Sequence, residues 1–184
     1  RLRLSRMVTP FLLRRKKPDV LRELPEKVEQ VRYVDLTPRQ QKLYQAQEQQ
    51  LRQSLQKDDD KTFQANRIQY LSALTRLRQL CCDPALFLED YDGGSGKVNA
   101  CLDLLEELTQ AGHKVLVFSQ FTSMLDILRH EAMARRLDSL CLTGANTKEQ
   151  RRNMVRQFQE GETMVFFISL KAGGVGLNLT AADR

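Results

Sequence analysis

Residues 164–176, Met164-Val-Phe-Phe-Ile-Ser-Leu-Lys-Ala-Gly-Gly-Val-Gly176, decide the fold. The first part is apolar and rich in β-branched and aromatic residues, which is typical of a strand buried on both faces of a parallel sheet. From Ser169 onward we expect a loop, and this loop contains three glycines. Because glycine lacks a Cβ, backbone N–H groups in such a loop can approach a phosphate closely. On these residues alone, a tight strand-to-helix turn without a ligand is an equally good interpretation.

The pattern of residues 93–184 predicts a parallel α/β sheet with helices on both faces, because apolar runs alternate with helical stripes and short loops. The predicted strands are 114–119, 139–142 and 163–169. The predicted helices run from Gly96 to a stop at Gly112, from Phe121 to about Arg136, and from a Thr147 cap to Gly161. We assign the Phe, Met and Leu stripes of these helices to the core.

The first 92 residues are predicted to be mainly helical. Thr37, Pro38 and Gln40 form a capping-box start, and a helix follows with Leu43, Tyr44, Leu51 and Leu55 on one face. A second helix is expected from about Phe63 to Cys82, with its apolar stripe formed by Ile68, Leu71, Leu74, Leu77 and Leu80. A short extended segment is predicted over 28–36, and the glycines at 93–96 mark the domain boundary.

The amino-acid composition is typical of a globular protein and not of a membrane-spanning one. The chain has 184 residues, 41% hydrophobic and 28% charged, as in an ordinary globular protein, and it has no apolar run long enough to span a bilayer. Residues 1–91 carry a net charge of +6 and residues 92–184 a net charge of zero. This asymmetry suggests a polyanionic partner for the first half, although a solvated basic surface explains it equally well. The four cysteines have no metal-ligand spacing, so we predict reduced thiols and no metal site.

Residues 169–183 resemble motif V of the Swi/Snf-type DNA translocases, a branch of the superfamily-two helicases. Phe118-Ser119-Gln120-Phe121 is similar to motif IV of that family, and Leu142-Thr143-Gly144, with the arginines at 151 and 152 beyond it, is similar to motif IVa. Nearer the start of the chain, the resemblance extends to Leu13-Arg-Arg15, Leu24-Pro-Glu-Lys27, Gln40 with Tyr44, and Leu77-Arg-Gln-Leu-Cys81. The resemblance therefore covers nearly the whole chain.

The resemblance implies that residues 93–184 are the second RecA-like lobe of a motor on double-stranded DNA and residues 1–92 the helical linker that precedes it. It implies contact with the DNA backbone by residues of the motif IV, IVa and V loops: Gln120, Thr143, Gly144, Arg151, Ser169, Lys171, Ala172 and Gly173. It also implies that Gly174, Gly176 and Asn178 face the nucleotide. A solvated helix face remains an alternative for Arg151 and Arg152, and a cap or turn for Asn178.

The implied cofactor is ATP with Mg²⁺, bound mainly by a first lobe that is not in this chain. Gly93-Gly-Ser-Gly-Lys97 is not a Walker A motif, because Tyr91 stands where its first glycine belongs and Val98 follows the lysine. The implied location is the nucleus in a eukaryote and the cytoplasm or nucleoid in a bacterium.

The lobe is also expected to be truncated at its C-terminal end. The last residue is Arg184, and the resemblance implies that another strand and then motif VI follow beyond it. Motif VI supplies the arginines that reach the γ-phosphate in this family. We therefore expect no catalytic residue within these 184 residues.

Two rival functions follow from the residues. One is a non-enzymatic basic module that binds nucleic acid or protein on an α/β scaffold. The other, a dinucleotide-binding enzyme, is excluded by spacing, because the third glycine of G-x-G-x-x-G would fall at Leu179.

The Walker A motif and motif VI are not in this sequence. We therefore predict that the 184-residue chain alone does not hydrolyse ATP at a useful rate. The measurement is phosphate release by the purified chain with and without duplex DNA. Steady turnover that survives further purification would contradict this prediction.

Overall fold

The computed structural model describes residues 28–173 and 177–183. The chain forms two compact units, residues 1–33 and 34–184. Of the first unit only residues 28–33 are described; they have no regular secondary structure, and the Val28, Val31 and Tyr33 side chains are exposed. The segment predicted over 28–36 therefore forms no strand.

Several sequence predictions fall outside the described residues. They are the basic run and the two motif matches before residue 28, and the chain end at Arg184. The predicted truncation of the lobe beyond Arg184 accordingly stays a prediction.

The centre of the second unit is a parallel three-stranded sheet. Its strands are β1 (Val115–Ser119), β2 (Ser139–Leu142) and β3 (Val165–Ser169), in the spatial order β1-β3-β2. All five residues of β3 are buried, as expected for an apolar strand that is paired on both edges and covered on both faces. The sequence prediction of a parallel α/β fold is confirmed.

Helices cover both faces of the sheet because side chains alternate along β3. Val165 and Phe167 face a core shared with helices α3 (Gly96–Gln110) and α4 (Thr122–Ala134). Phe166 and Ile168 face the opposite core, which includes Phe158 of helix α5 (Lys148–Glu160). A four-residue helical turn, α6 (Leu170–Gly173), follows β3 directly.

The helix ends confirm the signals found in the sequence. Thr147 and Gln150 form a reciprocal capping box at the start of α5, and Thr37 and Gln40 form another at the start of α1 (Pro38–Lys57). Gly112 follows the end of α3 with a φ of +84°, in the left-handed region that glycine adopts without strain. The N–H groups of Gly112 and His113 then satisfy carbonyls of the last turn, as in a Schellman motif.

Helices α1 and α2 (Asp60–Cys82) form an antiparallel hairpin, but its buried face is not the one we predicted for α2. The predicted stripe is wrong at three of its five residues, because Ile68, Leu71 and Leu74 are 78%, 56% and 49% exposed. The buried row is instead Tyr70, Ala73, Leu77 and Leu80, which packs against Leu51, Leu43 and Tyr44 of α1. Tyr70 secures this rotation of the helix, since its hydroxyl donates a hydrogen bond to Asp58 in the turn between the helices.

The Gln40 side chain joins the hairpin to the α/β part. It is fully buried, and its Oε1 accepts hydrogen bonds of 3.1 Å from the N–H groups of Thr37 and Gly96. Its Nε2 donates to the Leu80 carbonyl at 3.0 Å. One amide therefore connects the start of α1, the end of α2 and the start of α3, through one buried and two half-buried hydrogen bonds.

A second connection lies beside it. Ser95 caps α3 by accepting a hydrogen bond from the Val98 N–H, and it donates to the Cys82 carbonyl at 2.5 Å. Gly96 packs so closely on the Asp35 carbonyl that a Cβ there would clash with it. Glycine is therefore required at this position because a side chain would not fit, and not because the backbone has a positive φ.

Cysteines occupy half-buried positions, and all four are free thiols. Burial raises the pKa of Cys81, Cys101 and Cys141 above the ordinary thiol value. These thiols are therefore protonated and unreactive at neutral pH. No helix in the described part of the chain is long and apolar enough to cross a membrane.

We predict that Gln40→Ala lowers the free energy of unfolding by about 3 kcal/mol, because it leaves two half-buried N–H groups and one buried carbonyl without partners. Urea unfolding followed by circular dichroism measures this change. The neighbouring Gln41 is exposed, so Gln41→Ala is the matched control and should change stability by less than about 0.5 kcal/mol. Equal effects of the two substitutions would show that the Gln40 bonds do not stabilise the junction.

Candidate nucleic-acid interface at the carboxyl edge of the sheet

The carboxyl ends of the three strands lie side by side. In the parallel register Ser119 is opposite Ser169, and Leu142 is opposite Ile168. The loops that begin at Gln120, Thr143 and Leu170 therefore leave the sheet at one edge, as the sequence predicted. Ligands of open α/β sheets bind outside this edge.

The loop after β1 is a tight turn with Gln120 at its tip. The Ser119 hydroxyl accepts a hydrogen bond from the Phe121 N–H at 3.1 Å and donates to the Phe121 carbonyl at 3.0 Å. Gln120 is exposed, and its Oε1 accepts a hydrogen bond of 2.5 Å from Nη2 of Arg78 on α2. The Arg78 guanidinium carbon also lies 5.9 Å from the centre of the Phe121 ring, within the range of a cation–π contact.

The loop after β2 is a turn closed by Asn146. The Thr143 N–H donates to Asn146 Oδ1 at 2.8 Å, and the Ala145 N–H donates to the Thr143 hydroxyl at 3.3 Å. Gly144 is exposed at the tip, and a Cβ placed on it would meet no atom within 4 Å. Its φ is not positive either. The fold itself therefore does not require glycine at position 144.

The segment after β3 begins as helical turn α6 rather than as the open loop that the glycines suggested. Ser169 is 2% exposed, and its hydroxyl accepts a hydrogen bond from the Ala172 N–H at 3.3 Å. Ala172 is also buried, whereas Lys171 between them is exposed. Gly173 packs against Phe118, since a Cβ there would lie 2.9 Å from the Phe118 ring. Gly174 and Gly176 lie outside the described residues.

Helix α5 is tied to this turn by Arg151. Its Nη1 donates to the Ala172 carbonyl at 3.3 Å, which satisfies a carbonyl of the short helical turn. Arg152 is exposed. An open cleft of about 650 Å³ lies beside these arginines, and its walls include Lys148, Val155, Leu177 and Asn178.

The segment after the glycines is held against the lobe at two places. Gln159 of α5 donates from Nε2 to the Asn178 carbonyl at 2.7 Å and accepts from the Ala181 N–H at 2.9 Å. Asp183 lies 2.6 Å from Nδ1 of His113, and this hydrogen bond lowers the pKa of Asp183 below its ordinary value. The Asn178 backbone is thus fixed while its side chain is exposed. Asn178 caps no helix within the described residues.

The predicted site residues thus divide by exposure. The structure presents Gln120, Gly144, Lys171 and Asn178 to solvent, leaves Thr143 and Arg151 half-buried, and buries Ser169 and Ala172. Sequence reasoning did not identify Arg78, Asn146 or Gln159 as parts of this edge. Arg78 stands inside a segment that carried the resemblance, but its place beside Gln120 depends on how α2 packs. Gln159 had no signal, since one glutamine on a helix surface is unremarkable.

Comparisons with known proteins match both parts of the chain to known domains. The SNF2-related domain matches residues 1–86, and the helicase conserved C-terminal domain matches residues 96–184. A zebrafish (Danio rerio) chromodomain-helicase-DNA-binding protein 1-like is 37% identical over 98% of this chain and 18% of its own length. The chain spans about a fifth of the length of the curated relatives it matches.

Two solved structures from Sulfolobus solfataricus show the same fold. The SWI2/SNF2 ATPase C-terminal domain superposes with a TM-score of 0.69 at 30% identity, over 83% of this chain and 67% of that chain. The SWI2/SNF2 ATPase core in complex with double-stranded DNA superposes with a TM-score of 0.73 at 30% identity, over 100% of this chain and 40% of that chain. With its parallel sheet of the RecA-like type and its two matched domains, this chain belongs to the Swi/Snf (SNF2-related) family of superfamily-two helicases.

Proposed function

We propose that this chain supplies the second motor lobe of an ATP-dependent double-stranded-DNA translocase. In this proposal residues 93–184 form the lobe, residues 1–92 precede it as the helical linker, and a first RecA-like lobe outside the chain completes the ATP site. The observation that carries the proposal is the single edge where three loops present Gln120, Gly144 and Lys171 to solvent. A family member solved with double-stranded DNA supports the same partner here.

The groups at this edge suit the phosphates of a DNA strand. Amide and backbone N–H groups and an ammonium all donate hydrogen bonds, and phosphate oxygens accept them without regard to base sequence. We assign direct backbone contacts to Gln120, Thr143, Gly144 and Lys171. We assign Ser169, Ala172 and Gly173 to the turn that presents Lys171, because the first two are buried and the third packs on Phe118.

Arg151 has a double role in this proposal. One of its nitrogens holds the Ala172 carbonyl, and the guanidinium charge remains available to the DNA because an arginine has five N–H donors. Arg152 next to it is exposed and adds positive charge to the same helix start. Neutralising phosphates in this way makes the affinity for DNA fall steeply with salt.

We propose that the nucleotide lies on the other side of the glycine segment, facing Gly174, Gly176 and Asn178. Of these three residues the structure describes Asn178, which is exposed at an open cleft that Lys148 and Glu149 also line, so an ammonium is available to a phosphate there. Bound ATP supplies the free energy of its hydrolysis, and Mg²⁺ is held mainly by the first lobe. Within the described residues, Gln159 fixes the segment that follows the glycines by binding the Asn178 carbonyl and the Ala181 N–H.

A basic clamp without motor activity is the second candidate, and the charge distribution favours it. Residues 1–91 carry the whole net charge of +6, and Arg67 and Arg76 are exposed on α2. Such a clamp would bind DNA with the same salt dependence but without any dependence on ATP. For either function we propose a location in the nucleus of a eukaryote, or in the cytoplasm or nucleoid of a bacterium.

We predict that duplex DNA stimulates ATP hydrolysis by the intact two-lobed protein, and that Lys171→Ala reduces this stimulation about tenfold by removing a charged phosphate contact. Asn178→Ala should lower the maximal rate with less effect on DNA affinity, because Asn178 faces the nucleotide. Steady-state phosphate release at increasing duplex concentration separates the two effects.

Lys42→Ala is the matched control for this experiment, since Lys42 is an exposed lysine of helix α1 and belongs to none of the three loops that follow the strands. It should leave the maximal rate of ATP hydrolysis and its stimulation by duplex DNA within about twofold of the wild type, as expected for a surface charge screened by salt. If the protein binds duplex DNA but never hydrolyses ATP, the clamp is the correct function. If it ignores DNA altogether, both candidates are wrong.

A pair of glycines tests the DNA contact at the β2 loop. Gly144→Ala should leave the melting temperature unchanged, because a Cβ there meets no atom, and it should weaken duplex binding about fivefold by keeping the phosphate off the backbone N–H. Gly112→Ala should instead lower the melting temperature and leave duplex binding unchanged. At a φ of +84° an alanine costs about 1 kcal/mol of stability, yet this turn is at the other end of the sheet.

Thermal unfolding and fluorescence anisotropy with a labelled duplex measure the two quantities. Undiminished DNA affinity of the Gly144→Ala protein would remove Gly144 from the proposed interface.

A further inference from the structure

Arg78 is the one described residue of the helical hairpin whose side chain is hydrogen-bonded to a residue of the phosphate-binding edge. Its Nη2 donates to Gln120 Oε1 at 2.5 Å, although 42 positions separate the two residues in the sequence. Its guanidinium lies over the Phe121 ring at 5.9 Å. The contact therefore connects helix α2 to the tip of the β1 loop.

The chemistry of this contact determines which end of the Gln120 amide faces solvent. A guanidinium carries only donors, so the end of the amide bound to it is the oxygen. The Nε2 end, with its two N–H groups, makes no hydrogen bond to any group in the described part of the chain, and Gln120 is exposed. Because phosphate oxygens only accept hydrogen bonds, this is the end that a DNA backbone requires.

Arg78 is well placed to hold the amide in this orientation. The Phe121 ring beneath it is half-buried, and the Phe121 backbone is bound on both sides by the Ser119 hydroxyl. The C-terminal turn of α2, only one turn from Arg78, is fixed by the Gln40 bond to Leu80 and by the Ser95 bond to Cys82. The guanidinium is therefore supported by rigid groups from both parts of the unit.

We propose that Arg78 is a positioning residue that turns the Gln120 amide so that its N–H groups point toward a DNA phosphate. The inference rests on the proposed function, since it deepens the account of the same DNA-binding edge. Arg78 acts through Gln120 and does not itself supply an independent phosphate contact. The helical hairpin thereby contributes to the DNA grip through one side chain.

A double-mutant cycle tests this inference in the intact two-lobed protein, with duplex affinity measured by anisotropy at several salt concentrations. We expect Arg78→Ala and Gln120→Ala each to weaken binding about tenfold, and the double variant to be no weaker than either single one. Arg78→Lys keeps a donor for the amide oxygen, so it should restore the affinity to within about threefold of the wild type.

Arg67→Ala is the matched control, since Arg67 is an exposed arginine of the same helix and its loss changes the charge equally. The slope of log affinity against log salt separates a positioning role from a direct phosphate contact, and the rescue by Arg78→Lys separates it from a merely structural one. Loss of a direct phosphate contact reduces that slope by about 0.9, whereas loss of a positioning residue leaves it equal to that of the Arg67→Ala protein.

Each other outcome overturns the inference in a recognisable way. Additive losses in the double variant, near a hundredfold, would make Arg78 an independent phosphate contact. An Arg78→Ala protein that binds like the Arg67→Ala protein would leave Arg78 without a role, and the proposed function would stand if Lys171→Ala still weakened binding. A wild-type protein that does not bind duplex DNA would overturn both the inference and the proposed function.

Discussion

The complete burial of β3 is the constraint on which the α/β part depends. A strand that pairs on both edges and is covered on both faces must be mainly apolar, and helices must close on it from two sides. Its one polar residue, Ser169 at the end, is hydrogen-bonded to the Ala172 N–H. The alternation of Val165, Phe166, Phe167 and Ile168 then divides the core into two halves. With the parallel register fixed in this way, the three strand ends meet at one edge, and the loops that follow them begin side by side.

The hairpin of α1 and α2 is joined to this core by polar bonds rather than by a large apolar surface. The Gln40 amide makes three hydrogen bonds to three different elements, and Ser95 makes two more beside it. Buried polar groups of this kind fix one arrangement, since any other leaves them unpaired. They also explain why a helix of the first half reaches the carboxyl edge of the sheet in the second.

Much of the fold was predictable because its signals are local. The capping boxes at Thr37 and Thr147, the stop at Gly112 and the three strands depend on neighbouring residues or on a simple period, and all were found where the sequence placed them. The buried face of α2 was not predictable in this way. Ile68 and Tyr70 both lie on rows of apolar residues, and the packing of α1 and the Asp58 hydrogen bond decide between them. The same holds at the candidate site, where the motifs placed Gln120 and Lys171, whereas the burial of Ser169 depends on a helical turn that three glycines did not suggest.

Fastening the hairpin at its base has a mechanical consequence. Helix α1 has 20 residues, so the hairpin is an arm about 30 Å long with its free tip at the turn between Asp58 and Asp60. An arm that is rigid at its root turns with the sheet, and a rotation of only about 5° displaces the tip by about 3 Å at this length. The hairpin is thus a lever that amplifies small angular motions of the core into displacements as large as the spacing of residues along a chain.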